Sequence, residues 1–343
     1  MTDIDGLHTI GDFRLQSGVV LPQAPIAYVT QGTLAPDGRN AILLTHGYTS
    51  SHRFALGGPA ASEGSWGALV GPGKPIDTDR YFVVAANMLG SSYGSVGPAS
   101  VDPRTGRPYG PDFPDFTLSD IVAQQHALLR HLGVAHLAAV VGPSFGGFQA
   151  FQWAVDHPDF MDAVAPVVTA PYSPNIGSLE KMLETFAADP GWNGGHHYGN
   201  RSIIATMTRL RVKTLKDYGL EADLADRFPD AAAREAELMR IAGAWAEAFD
   251  PNSLIALRKA SMRYDVRPDF LRIKARVLFV LSRTDALFPP SLERPTMDAL
   301  LAAGVSAEYA LIDSDRGHLA SGLDAAKWAD RLRGFLAAAA PVC

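Results

Sequence analysis

Cysteine is almost absent: the 343-residue chain carries one, Cys343, its last residue. A disulfide framework, a cysteine zinc site and a core cysteine nucleophile are thereby excluded. No run of about 18 apolar residues occurs, so no membrane-spanning helix and no membrane partner are expected. Met1-Thr2-Asp3-Ile4-Asp5 has neither the basic nor the apolar region of a secretory signal, which makes a cytoplasmic location the expectation. Basic residues are in deficit, 30 Lys and Arg against 36 Asp and Glu, so the clustered positive charge of a nucleic-acid partner is missing. No Gly-x-Gly-x-x-Gly opens a helix, and no cofactor is expected.

Apolar residues, at 47%, suffice for a large core. Short strand candidates lie at Phe13–Leu15 and Ile26–Thr30. Continuous apolar runs follow at 41–45, 81–87, 137–141, 163–168, 277–281 and 309–312, as parallel strands covered on both faces require. Helical patterns alternate with them. Thr117-Leu118-Ser119-Asp120 reads as a capping box for a helix ended by Gly133, and Asp324–Ala337 reads as a final amphipathic helix. The expected fold class is α/β, with a mostly parallel, doubly wound sheet. Residues 173–268 break the alternation, being helical throughout. They predict a helical lid inserted into a core made of 1–172 and 269–343, a lid that excludes water from a pocket.

The strongest chemical signal is Gly142-Pro143-Ser144-Phe145-Gly146-Gly147, placed after an apolar run and before a helical pattern. That is the strand–turn–helix setting of a nucleophile elbow, with Ser144 thrust out and the Phe145 N–H aimed where an oxyanion forms. A serine hydroxyl needs a base, and the chain order serine, acid, histidine assigns Asp285 and His318, each after a later strand. Asp313 and Asp315 compete for the acid role and read as solvated loop carboxylates. The second oxyanion donor is expected after the 41–45 strand, at the N–H of Tyr48 with Gly47 as fallback, and His46 there reads as structural. His196 and His197 lie without nearby carboxylates in sequence, so no metal site is expected. His52, His126, His131 and His157 read as surface or capping residues, and Trp66, Trp153 and Trp192 as packing.

Longer stretches carry a family resemblance. Residues 69–82, from Leu69-Val70-Gly71-Pro72 to Arg80-Tyr81-Phe82, resemble the homoserine O-acetyltransferases. So do 87–98, 105–114 and Phe249-Asp250-Pro251-Asn252-Ser253 after the lid. The resemblance runs from Phe13 to the terminal helix. It implies an α/β-hydrolase fold with a helical lid, a homodimer formed through the lid and a narrow acyl pocket. In that family an aspartate directly follows the catalytic histidine and helps hold the acceptor's amino group; here Leu319 stands there. The family also places an arginine and, seven residues later, a tyrosine on a lid helix. Seven residues are two turns, so both face one way. Ungapped alignment puts Thr206 and Lys213 at those positions, with Arg209 and Arg211 close enough for a small shift to restore an arginine.

A leucine offers nothing to an ammonium group. A transferase must also favour a dilute alcohol over water by roughly 10⁴-fold, about 5–6 kcal/mol of selective stabilisation. The sequence therefore reads first as a carboxylic ester hydrolase acting on small acetyl or short acyl esters through an acyl-enzyme on Ser144. The alternative is an acyltransferase moving an acetyl group from acetyl-CoA to homoserine or another hydroxyl acceptor. A non-catalytic binding relative is a third reading, which the complete serine, aspartate and histidine set opposes.

Overall fold

The computed structural model describes residues 4–56, 65–174 and 178–339. Met1–Asp3 and Cys343, which entered the sequence reading, lie outside the described residues. Eight strands form the main sheet: β1 (Ile4–Thr9), β2 (Pro25–Gln31), β3 (Ala41–Thr45), β4 (Phe82–Ala86), β5 (Leu137–Pro143), β6 (Met161–Val167), β7 (Arg276–Ser282) and β8 (Ala307–Ile312). Their spatial order is β1-β2-β4-β3-β5-β6-β7-β8. β2 runs antiparallel to both its neighbours; from β4 to β8 every pairing is parallel. Central strands such as β3 are buried at every residue, which is why they read as unbroken apolar runs.

The predicted runs all fall on strands, most of them longer by a residue or two at the ends. β1 was not foreseen. Of Phe13–Leu15, only Phe13–Arg14 is a strand, half of a small two-stranded ribbon outside the main sheet, paired with Val20–Leu21.

Helix α1 (Leu118–His131) starts in the expected capping box: Thr117 Oγ1 accepts from the Asp120 N–H at 3.2 Å, and the Thr117 N–H donates to the Asp120 carboxylate at 2.8 Å. Helix α2 (Phe145–Asp156) follows β5 directly. Between β6 and β7 come α3 (Leu179–Ala187), α4 (Ile203–Asp217), α5 (Leu220–Arg227), α6 (Ala231–Ala248) and α7 (Pro251–Met262), with no strand among the described residues. An isolated bridge between Tyr172 and Asp265 ties the two ends of this insertion together. Leu215, Leu224, Leu238 and Ala242 give α4, α5 and α6 a small core of their own.

α8 (Glu293–Ala302) precedes β8, and a short α9 (Ala320–Leu323) leads to α10 (Ala329–Ala339). The expected helix over Asp324–Ala337 thus begins late. Trp328 leaves helical geometry with φ −135°, its indole N–H donates to the Ser321 carbonyl at 2.9 Å, and its ring packs edge-on against Trp66 at 5.7 Å. Burying the indole outweighs the continuation of the helix.

Candidate active site

β5 delivers the chain to Ser144, whose φ of 57° and ψ of −121° lie in a sparsely populated region. Such a conformation costs about 1–3 kcal/mol and persists where the surroundings over-determine it. Here they do. The Ser144 N–H donates to Val167 O at 2.8 Å, and Ser144 O accepts from the Thr169 hydroxyl at 2.8 Å and from the Gly147 N–H at 2.8 Å. The flanking glycines are a steric requirement: a Cβ on Gly142 would sit 2.1 Å from Thr45 Oγ1, and one on Gly146 would sit 2.2 Å from Thr45 O. The Phe145 N–H comes first in α2, where no intrahelical acceptor exists.

The loop after β3 is pinned against this turn. Thr45 Oγ1 donates to Gly146 O at 2.8 Å, and Gln149 Nε2 donates to His46 O at 3.1 Å. His46 is wholly buried, with Nδ1 2.9 Å from Gly47 O and Nε2 2.8 Å from Asn87 Oδ1. Burial pushes its imidazole down to about 4 against the opposing pull of those two acceptors, so the ring belongs to the loop's scaffold, as expected. Tyr48 donates its hydroxyl to Leu254 O on α7, and its ring lies 5.8 Å from that of Phe145.

Asp285 and His318, 33 residues apart in the chain, meet at the far end of β7 and β8. Asp285 Oδ2 lies 2.8 Å from His318 Nδ1. Asp285 Oδ1 accepts the N–H groups of Leu287 at 2.8 Å and Phe288 at 3.2 Å, and the carboxylate is 0% exposed. Asp313 and Asp315 are each 81% exposed and share Arg283, at 2.5 and 2.8 Å, which removes them as partners for His318. The His318 ring is flanked by Tyr218 at 5.0 Å and Phe288 at 5.6 Å. Both flanking residues line one cavity of about 870 Å³ together with Ser144, Tyr48 and Phe145.

The pocket residues inferred from ungapped alignment need correction. Thr206 does not line the cavity. It is buried against α3's end, donating to Asp189 Oδ2 at 2.6 Å and accepting from Arg209 at 2.7 Å. Lys213 does line it, but its side chain is 75% exposed and its ammonium is paired with Asp217 at 2.6 Å. The residues that α4 presents deep in the cavity are Arg211 and, seven positions on, Tyr218. Arg211 is 1% exposed, donates to Thr49 Oγ1 at 2.7 Å and lies 4.9 Å over the Trp245 ring. The arginine and tyrosine are therefore both present, five residues from where the ungapped alignment set them. The spacing was the available signal: of the arginines between 173 and 268, Arg211 alone has a tyrosine seven residues later. Leu319, beside His318 on a 3₁₀ turn, is 2% exposed.

Other histidines also depart from expectation. His197 does have a carboxylate, Asp250 Oδ1 at 3.4 Å, within a buried cluster that includes the Tyr198 hydroxyl, 2.8 Å from Asp250 Oδ2. Among the described residues no three His, Cys, Asp or Glu side chains form a metal cage. His52 is buried, and His126 is half-buried and stacked on His157 at 4.3 Å; His157 caps the C-terminus of α2 and His131 is exposed, both as foreseen. Trp66, Trp153 and Trp192 are packed, as expected.

Known proteins agree with this architecture. The profile of the alpha/beta hydrolase fold matches residues 40–325. The homoserine O-acetyltransferase of Gluconobacter oxydans is 35% identical over 359 aligned positions, covering 95% of this chain and 91% of that protein. The enzyme of the same name from Symbiobacterium thermophilum is 37% identical, covering 94% and 91%. Among solved structures, homoserine O-acetyltransferase from Bacillus anthracis superposes with a TM-score of 0.87 at 26% identity, covering 98% of each chain. Esterase E22 superposes equally well, with 0.87 at 26% identity over 98% of this chain and all of that one. An elbow serine, a buried aspartate–histidine pair and an inserted helical segment thus coincide with full-length similarity, and the chain belongs to the homoserine O-acetyltransferase-like family of α/β-hydrolases.

Proposed function

We propose that this enzyme is a serine-dependent carboxylic ester hydrolase for acetyl and other short acyl esters. Ser144 Oγ attacks the ester carbonyl as its proton passes to His318 Nε2, and the Phe145 and Tyr48 N–H groups receive the oxyanion. Collapse of the tetrahedral intermediate breaks the bond to the alcohol, which leaves with the proton from His318. A water then gives its proton to His318 and attacks the acyl-enzyme, releasing the acid and restoring Ser144. Asp285 holds the imidazole in the required tautomer and stabilises its charged form. The helical insertion between β6 and β7 acts as a lid over the cavity.

The observation that carries hydrolysis over transfer is Leu319: buried, apolar and directly beside His318, it gives an amino-acid acceptor no counter-charge for its ammonium. A second reading is favoured by a specific pair. Arg211 and Tyr218 stand in the cavity wall, and relatives at 35–37% identity bear the name homoserine O-acetyltransferase. That reading is an O-acyltransferase drawing on acetyl-CoA.

Acetylation of the enzyme by p-nitrophenyl acetate tests the shared chemistry. One equivalent of p-nitrophenol released in a burst, with the acetyl mass on the peptide containing Ser144, is expected. No burst, and no labelling by an organophosphonate, would remove both catalytic readings.

A further inference from the structure

The cavity has two unlike ends. Toward the lid its wall is exposed and polar, with Lys181, Thr185, Lys213 and Asp217. Toward the sheet it is closed by three buried rings: Phe145 at 3% exposure, Phe148 at 5% and Phe288 at 2%. Phe148 joins them, its centroid 5.6 Å from Phe145 and 5.9 Å from Phe288. It is also tied to the nucleophile, since its N–H donates to Ser144 O at 3.2 Å, one helical turn away. Behind it the Tyr264 ring is stacked at 4.5 Å and 29°. Tyr264 is itself 5% exposed, and its hydroxyl is buried without a hydrogen-bond partner among the described residues. Phe148 therefore has a filled space behind it and cannot retreat.

The two products of acyl-enzyme formation make different demands. The alcohol must leave, so it belongs on the open side. The acyl group stays bonded to Ser144 until water arrives, so it belongs against fixed walls. We propose that Phe148, bedded on Tyr264, is the end wall of the acyl site and confines the enzyme to short acyl chains. The inference rests on the acyl-enzyme reading above.

The test compares p-nitrophenyl acetate, butyrate and hexanoate on the wild type, Phe148→Ala, Phe148→Leu and Tyr264→Phe. The wild type is expected to fall off from acetate to hexanoate. In Phe148→Ala the hexanoate-to-butyrate ratio of kcat/KM should rise on the order of tenfold, since each newly buried methylene is worth about fourfold, or about 0.8 kcal/mol. Phe148→Leu, nearer in volume and more certain to fold, should shift the ratio the same way but less. Tyr264→Phe, which loses only the unpartnered hydroxyl, should keep the wild-type profile. A merely structural role for Phe148 would lower all three esters together. Unchanged ratios in both Phe148 variants, with acetate still hydrolysed, would overturn the inference and leave the ester-hydrolase reading standing. So would a shift that followed the length of the alcohol in a series of alkyl acetates. Failure of the wild type to turn over any ester would overturn the underlying reading itself.

Discussion

The guanidinium of Arg211 lies 5.9 Å over the ring of Tyr218, and that ring lies 5.0 Å from the imidazole of His318. Two turns of α4 thus connect the inserted helices to His318. The carbonyl of Tyr218 reinforces the link by accepting the His318 N–H at 3.1 Å. The helical insertion and the aspartate–histidine pair thus meet at one wall of the cavity.

The triad assignment predicts unequal losses. Ser144→Ala should abolish the burst and reduce turnover to background. Asp285→Asn should lower kcat by about 10³–10⁴-fold while the far-UV spectrum stays native, because an amide reverses the hydrogen bond that sets the imidazole tautomer. Near-full activity in Asp285→Asn, measured on p-nitrophenyl acetate, would return the acid role to a loop carboxylate.

Thr206 and Arg211 separate alignment from geometry. Thr206→Val removes a buried hydroxyl donor to Asp189 and should cost about 1–3 kcal/mol in urea unfolding, with the fate of the acyl group unaltered. A stable Thr206→Val variant with changed acceptor selectivity would put Thr206 back in the substrate site.

Much of this is legible in the sequence. The elbow glycines, the order Ser144, Asp285, His318 and the central strands all follow from local patterns: apolar runs ending in chemistry-bearing residues. β1 was not legible, because Ile4–Thr9 is an edge strand with half-exposed and exposed residues and a glycine inside, and so shows no buried run. The Trp328 break was hidden because its cause, the Trp66 ring, lies 262 positions away in sequence. The register of α4 was hidden for another reason. Helical residues five apart face different ways, so a short misalignment exchanges the cavity face for the face toward Asp189. Phe148 and Tyr264 meet only in the fold.

Acid should destabilise the protein through a histidine stack. His126 and His157 lie at 4.3 Å, and burial, with His157 and Arg130 adding to it, holds His126 down to about 4. His157 is likewise lowered, by burial and by Arg272. The unfolded chain takes up these protons near pH 6.5, whereas in the folded chain His126 refuses its proton until close to pH 4 and His157 binds its own below the ordinary value. Stability is therefore full above about pH 6.5 and is lost as pH falls through that window. Urea midpoints taken from pH 7 down to pH 5 should decline, and His126→Phe should make the decline shallower, the buried His46 and His52 keeping their share. An equally steep decline in that variant would place the acid sensitivity elsewhere.

Leu319→Asp tests the missing counter-charge. With Arg211 and Tyr218 already in place, this single change should let homoserine compete with water for the acetyl-enzyme, at some cost in stability for a buried carboxylate. No gain in O-acetylhomoserine from a folded variant would mean that Leu319 does not decide the acceptor.

The most direct measurement follows one acetyl group. The wild-type enzyme is acetylated with p-nitrophenyl acetate, or offered acetyl-CoA, and acetate release is timed with and without homoserine. The account predicts release into water at a rate that homoserine does not change, with no O-acetylhomoserine formed. Diversion of the acetyl group to homoserine, above all from acetyl-CoA, would contradict it and make the enzyme an acyltransferase despite Leu319.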